Sequence, residues 1–217
     1  MNVTRIYETA KDTSRRIAGL APEERAADTK QMRSCVITIK TDEPHQVFKG
    51  FGGALTESSG QVLSELPERL RDEAIGAYFS RTRGNGYTLA RTHMNSCDFS
   101  LENWACVPEK DETLASFSME RTDRYITPLL KAADESADHA LSLLVSPWSP
   151  PAWMKDNGDM NHGGKLLPEY RRLWADYFVT FIQALRERKL TVRYVTIQNE
   201  PAAGQTWESG GWSAGGE

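Results

Sequence analysis

With 217 residues, 39% of them hydrophobic and 26% charged, the chain can bury one ordinary domain core and is neither disordered nor collagen-like. A formal net charge of −4 gives no electrostatic footing for nucleic acid or an anionic membrane as partner. No apolar run approaches the roughly 18 residues of a membrane-spanning helix.

The first residues, Met1 to Glu8, lack the apolar stretch of a secretory leader. A cytoplasmic protein is therefore the expectation, or a secreted one if the true start lies upstream. Residues 3–8 predict a short strand, 22–28 a helical turn and 35–40 a strand that ends in a polar turn at 42–44. From there strands and helices alternate. Residues 47–55 read as a strand interrupted by Gly50, Gly52 and Gly53, and 62–79 as helix, with Pro67 opening a second helical segment. A Gly84-Asn85-Gly86 turn leads into a strand at 87–94, followed by a long loop over about 95–120 and a helix at 121–136. Residues 140–145 form a compact apolar strand stopped by Pro147. The clearest helix covers 168–189, where Tyr170, Leu173, Trp174, Tyr177, Phe178, Phe181, Ile182 and Leu185 share one face and predict packing against a sheet. A fourth strand covers 191–197.

Strand–helix repetition with apolar strands argues for an α/β fold with a parallel sheet, open or closed into a barrel. The loops after the strands are long and rich in Trp, Asn, Asp and Glu, whereas those after the helices are short. That asymmetry favours a TIM barrel, whose chemistry gathers at the C-terminal ends of its strands. Gly50-Phe51-Gly52-Gly53 has neither dinucleotide-loop spacing nor a Walker lysine, which counts against nucleotide binding.

Two strand ends carry the chemistry. Gln198-Asn199-Glu200-Pro201 puts a carboxylate directly beyond a buried strand, where stability alone explains it poorly; a solvated loop glutamate is the competing reading. Trp148-Ser149-Pro150-Pro151-Ala152-Trp153 presents two indoles on a rigid segment, suited to stacking on a sugar ring or to capping the core. Trp148, nearer the strand end, is the preferred ligand contact. Glu57, Arg91 and Asp98 form a third group at strand ends; Arg91 either steers the site carboxylates or makes a structural pair with Asp98. His93 is expected to be structural. Cys35, Cys97 and Cys106 make no C-x-x-C and, with His93, match no common zinc spacing, so no metal is expected. Neither a G-x-S-x-G elbow nor an H-E-x-x-H helix is present.

Four separated motifs together resemble glycoside hydrolase family 30, in its glucosylceramidase branch and bacterial type. They are Lys49-Gly50-Phe51-Gly52-Gly53-Ala54-Leu55-Thr56-Glu57, Ser96-Cys97-Asp98-Phe99-Ser100, Ser146 to Lys155, and Gln198-Asn199-Glu200-Pro201. The resemblance implies a (β/α)8 barrel with a β-rich side domain built from both chain ends. Residues 1–45 would then be side-domain strand, and 46–217 the first half of the barrel, about four β/α units. It implies retaining hydrolysis of β-glucosides such as glucosylceramide, with water and no cofactor. Carried over residue by residue, Glu200 matches the acid/base, Glu57, Trp148 and Asn199 match sugar contacts, and Arg91 matches a strand-end arginine beside the catalytic pair. The family's nucleophile sits at the end of the seventh strand and has no counterpart here, so the isolated chain is expected to be inactive. β-Xylosidase and β-1,6-glucanase specificities remain open within the family. Outside it stand a non-catalytic carbohydrate-binding fragment or pseudoenzyme, and a half-barrel that self-associates through its unpaired first and fourth strands. Residues 209–217 depart from the family pattern.

Overall fold

A computed structural model describes residues 6–21, 38 and 40–213. They fall into two compact units, Met1–Val47 and Phe48–Glu217. In the first, β1 (Tyr7–Glu8) pairs antiparallel with β2 (Ala18–Gly19), Tyr7 opposite Gly19. Arg15 closes the hairpin by donating from Nη1 to Glu8 Oε2 at 2.5 Å. The turn expected at 22–28, and the strand expected at 35–40 apart from Thr38 and Lys40, lie outside the described residues.

The second unit runs β3 (Gly52–Ala54), α1 (Glu57–Glu65), α2 (Glu68–Phe79), β4 (Leu89–Met94), α3 (Glu120–Ser136), β5 (Ser142–Pro147), α4 (Arg171–Glu187) and β6 (Val192–Val195). Its four strands form one sheet in the order β3-β4-β5-β6, and every pairing is parallel. Sequential parallel strands joined by helices are the wall of a barrel, so the expected partial (β/α)8 architecture holds. Gly52 is required where it stands, because a Cβ there would lie 2.0 Å from the Leu89 carbonyl oxygen.

The helical stretch expected at 62–79 divides at Pro67 into two segments as expected, but the first begins five residues earlier. Thr56 caps it: its hydroxyl accepts the Ser59 N–H, and Ser59 Oγ accepts the Thr56 N–H at 2.8 Å. This box uses Ser rather than Glu or Gln at its third position, which hides it in the sequence. Pro67 sits just before α2 with extended backbone, not within its first turn.

Parity along the strands separates two faces. Ala90, Met94, Leu143 and Val145 are buried beneath the helices, with Trp174, Tyr177, Phe181 and Leu185 of α4 in the same core. These α4 residues follow one another at three- and four-residue steps, the period the sequence predicted. Register pairs Arg91 with Leu144 and His93 with Ser146, which turns these four side chains to the opposite face, the barrel interior. Among the described residues no helix is long and apolar enough to cross a membrane.

Candidate active site

The interior face delivers Arg91 to the centre of the site. Its Nε donates to Ser146 Oγ at 3.0 Å and its Nη2 to Asn199 Oδ1 at 2.7 Å, while the guanidinium lies 4.5 Å from the centre of the Trp148 ring. One arginine thus ties β4 to β5 and to the segment beyond β6. Ser146 Oγ also meets Thr196 Oγ1 at 2.6 Å, closing the same seam. Burial lowers the Arg91 pKa, opposed by Cys97, Asp98 and Glu200.

Beyond β6 the ladder continues through the Asn199 N–H, which donates to the Pro147 carbonyl at 2.8 Å. Gln198, nearly buried, donates from Nε2 to the Trp148 carbonyl at 2.6 Å. Two anchored residues therefore precede Glu200 and set where it emerges. Glu200 itself has φ 47°, a left-handed conformation that costs a non-glycine residue roughly 1–2 kcal/mol. Its side chain is exposed and makes no hydrogen bond among the described residues.

Asp98 shares this corner. Burial raises its pKa most, and the charge of Glu200 raises it further, while Arg91 and the Trp148 side chain pull it down. Trp148 is 8% exposed, and its Nε1 finds no hydrogen-bond partner in normal geometry, although the Asp98 carboxylate lies close enough to feel it. A buried donor without a partner is unusual, but Trp174 Nε1 in the core shares that condition, so what distinguishes Trp148 is its place beside Arg91 and Asp98. With Arg91 over its ring and His93 at its edge, Trp148 offers that N–H rather than an open stacking surface. The second indole, Trp153, is structural. Its Nε1 donates to the Val107 carbonyl at 3.0 Å, and its ring meets Tyr170 edge-on.

Glu57 stands elsewhere. Its carboxylate is 0% exposed and accepts from Trp104 Nε1 at 2.9 Å, from the Leu101 N–H at 3.2 Å and from Arg121 Nη2 at 3.0 Å. Arg121 also pairs with Glu102. Three internal donors and no exposure leave Glu57 no surface for a sugar; it fixes the loop that carries Asp98. The reason is placement, since Glu57 opens α1 and its carboxylate turns to the loop after β4 and the first turn of α3. The Glu57 N–H donates to His93 Nε2 at 3.1 Å, and His93 Nδ1 faces the Asn95 carbonyl at 2.6 Å. This assigns the proton to Nδ1 and makes His93 a neutral strut, in keeping with the burial that lowers its pKa.

The structure therefore brings Arg91, Asp98, Trp148, Asn199 and Glu200 together and sets Glu57 apart. Asn95 was missed. Wholly buried with φ 62°, it accepts through Oδ1 from the Cys106 N–H at 3.0 Å and from Tyr177 Oη at 2.5 Å, and donates from Nδ2 to the Ser149 carbonyl at 3.2 Å. The available signal was an amide immediately after an apolar strand. Among the described residues no group of three His, Cys, Asp or Glu side chains is arranged to hold a metal ion.

The glycosyl hydrolase family 30 TIM-barrel domain matches residues 48–210. Lysosomal acid glucosylceramidase of Mus musculus is 35% identical over 176 residues, 78% of this chain and 34% of that protein. The crystal structure of SrfJ from Salmonella typhimurium superposes with a TM-score of 0.80 at 37% identity, over 86% of this chain and 42% of that one. The endo-β1,6-glucanase BT3312 superposes at 0.81 with 27% identity, over 98% of this chain and 46% of that one. The chain spans about a third of the length of the curated relatives it matches.

Proposed function

The chain belongs to glycosyl hydrolase family 30, and on that premise we propose that it supplies the acid/base side of a retaining β-glycosidase. The substrate class is β-glucosides, glucosylceramide among them, in line with the named activity of the mouse relative. The observation that carries this reading is the corner at the strand ends, where Arg91 holds Asn199 while Glu200 stands free and the buried Trp148 N–H is unpaired.

Glu200 gives its proton to the departing glycosidic oxygen, then takes one from the water that releases the sugar. Asn199, whose Oδ1 is held by Arg91, keeps its amide NH2 for a sugar hydroxyl. The Trp148 N–H and the Asp98 carboxylate provide a donor and an acceptor beside it. Retention needs a second carboxyl roughly 5–5.5 Å from the first, and we assign it to a barrel strand beyond the four described here. Phe51, Tyr194, Val195 and Ile197 are exposed on the two outer strands and their extensions. In this reading they are where the rest of the wall closes, and they make the isolated chain prone to self-association.

The test joins residues 48–210 to the complementary half of a family barrel and compares two aryl β-glucosides. Glu200→Gln should lower turnover of the poorer leaving group by about 100-fold or more, and that of a dinitrophenyl glucoside far less, because only the former needs the acid. Azide should restore activity to Glu200→Ala. Equal turnover by wild type and Glu200→Gln on the poorer leaving group would remove Glu200 from the chemistry.

A further inference from the structure

Lys155 is 3% exposed, an uncommon place for an ammonium group. No carboxylate is hydrogen-bonded to it. Instead its Nζ donates to two backbone carbonyls, Met160 at 3.1 Å and Ser209 at 2.8 Å. Met160 belongs to the loop after β5, and Ser209 to the loop that leaves Glu200. The same two segments are laced around this point. The Ser209 N–H donates to the Met160 carbonyl at 3.0 Å, the Gly163 N–H to Ser209 Oγ at 2.9 Å, and the Gly211 N–H to the Gly164 carbonyl at 2.7 Å.

The lacing reaches Glu200 through Trp212. Its N–H donates to the Pro201 carbonyl at 2.9 Å, and its indole Nε1 to Gln198 Oε1 at 3.1 Å. Gln198 and Pro201 flank Asn199 and Glu200 on either side. The loop therefore leaves the strand end at Gln198, turns through the strained Glu200, and is fastened back beside its own start.

We infer that Lys155 is a positioning residue for Glu200: its buried amine clamps the returning loop at Ser209 and so fixes the left-handed turn that presents the carboxylate. The consequence for catalysis rests on the reading of Glu200 given above; the clamp itself does not. A protonated amine has three N–H donors, and the site offers two acceptors, so the third proton is held without compensation. Burial accordingly lowers the Lys155 pKa to about 8, against the opposing pull of Asp159 and then Asp156 on its own loop. The other titratable groups of the two loops are His162, which is paired with Asp159, the exposed Lys165, Glu169 and Glu200, the buried Tyr170, and Glu208 beside Ser209; none is hydrogen-bonded to Nζ. Because the clamped state favours the neutral amine, which still serves both carbonyls, clamping strengthens as pH rises from about 8 toward the ordinary lysine value near 10.4.

Amide exchange and indole resonances, followed by NMR on the chain as it stands, test this without any turnover assay. In Lys155→Met, protection at Ser209, Gly211 and Trp212 should fall by about tenfold or more, while Leu143 and Val145 in the sheet keep theirs. The Trp212 indole N–H should shift toward its free position. In the wild type, protection of those loop amides, corrected for the intrinsic rate, should rise with pH above about 8, and Lys155→Met should lack that rise. Unchanged loop protection and an unmoved Trp212 resonance in Lys155→Met would overturn the inference. Should that variant lose protection everywhere, the wild-type series decides, and a flat profile across the same window would overturn it. A released loop combined with full acid catalysis by Glu200→Gln in the completed barrel would leave the clamp standing and the glycosidase reading refuted.

Discussion

Two glutamates at strand ends of one sheet have opposite surroundings. Glu57 is sealed under the loop after β4, with both carboxylate oxygens accepting from internal donors, and Arg121 balances its charge. Glu200 sits in the open with a left-handed backbone and no side-chain hydrogen bond among the described residues, next to an arginine, a second carboxylate and an indole N–H without a partner in normal geometry. The first arrangement spends its polar groups on the fold. The second leaves them unspent and keeps a strained residue, which is how a site prepared for a ligand differs from a structural network.

Removing charge from each glutamate is the strongest way to break that comparison. Glu57→Gln should destabilise the chain by about 2–3 kcal/mol in urea titration, less than the full cost of breaking a buried pair because Arg121 is partly exposed and retains Glu102. Glu200→Gln should change stability by no more than about 0.5 kcal/mol, as for an exposed side chain without partners. Similar losses for both would erase the distinction.

His93 joins the sealed region to the interior face and gives it a pH dependence. Burial lowers its pKa, so below about 6.5 the unfolded chain binds a proton that the folded chain refuses. Stability should therefore fall as pH drops from 7 to 5, with a slope approaching about 1.4 kcal/mol per pH unit from this group alone. His93→Gln keeps an acceptor for the Glu57 N–H and should flatten the profile relative to wild type over that interval. Parallel profiles for the two proteins would mean that His93 is charged in the fold.

Arg91 tests the open corner from the other side. Arg91→Lys keeps the charge but cannot reach Ser146 and Asn199 together, and it loses the planar contact with Trp148. The expected cost is about 1–2 kcal/mol in stability, accompanied by greater mobility of the Asn199 side-chain amide in NMR relaxation. An unchanged amide would show that Asn199 is held by its backbone alone.

Much of this difference could be read before any coordinates. Alternating apolar segments and the stripe from Tyr170 to Leu185 report the strands and helices directly, while the choice of a barrel over an open sheet rested on the loop asymmetry. Glu200 survived as a strand-end carboxylate, although its strand is not buried as expected: Arg193, Tyr194 and Val195 are exposed, and so is Glu200. Glu57 did not, because strand-end position in sequence does not say which way a side chain turns. It begins a helix through a serine-based capping box and turns to Leu101, Trp104 and Arg121, whereas Asp98, four residues beyond β4, lies in the corner with Arg91 and Glu200. Lys155 was read only as the last residue of a tryptophan motif. Its partners are two carbonyls, one 54 residues away, and carbonyls leave no mark in a sequence.

The two indoles allow the smallest and cleanest version of the comparison, because the same substitution can be made at both. Trp153→Phe removes a hydrogen bond of 3.0 Å and leaves the Val107 carbonyl without a donor. Trp148→Phe removes an N–H that was buried without a partner, so the lost packing and the weakened contact with Arg91 are partly offset by relief of that group. Both truncations shed a similar amount of ring, which makes the difference between them a measure of the polar contribution. Trp153→Phe should therefore be the more destabilising by about 1 kcal/mol in matched urea titrations. If Trp148→Phe proves as costly, its N–H is already satisfied in the free protein, by Asp98 above all, and the donor assigned here to a sugar hydroxyl would not be vacant.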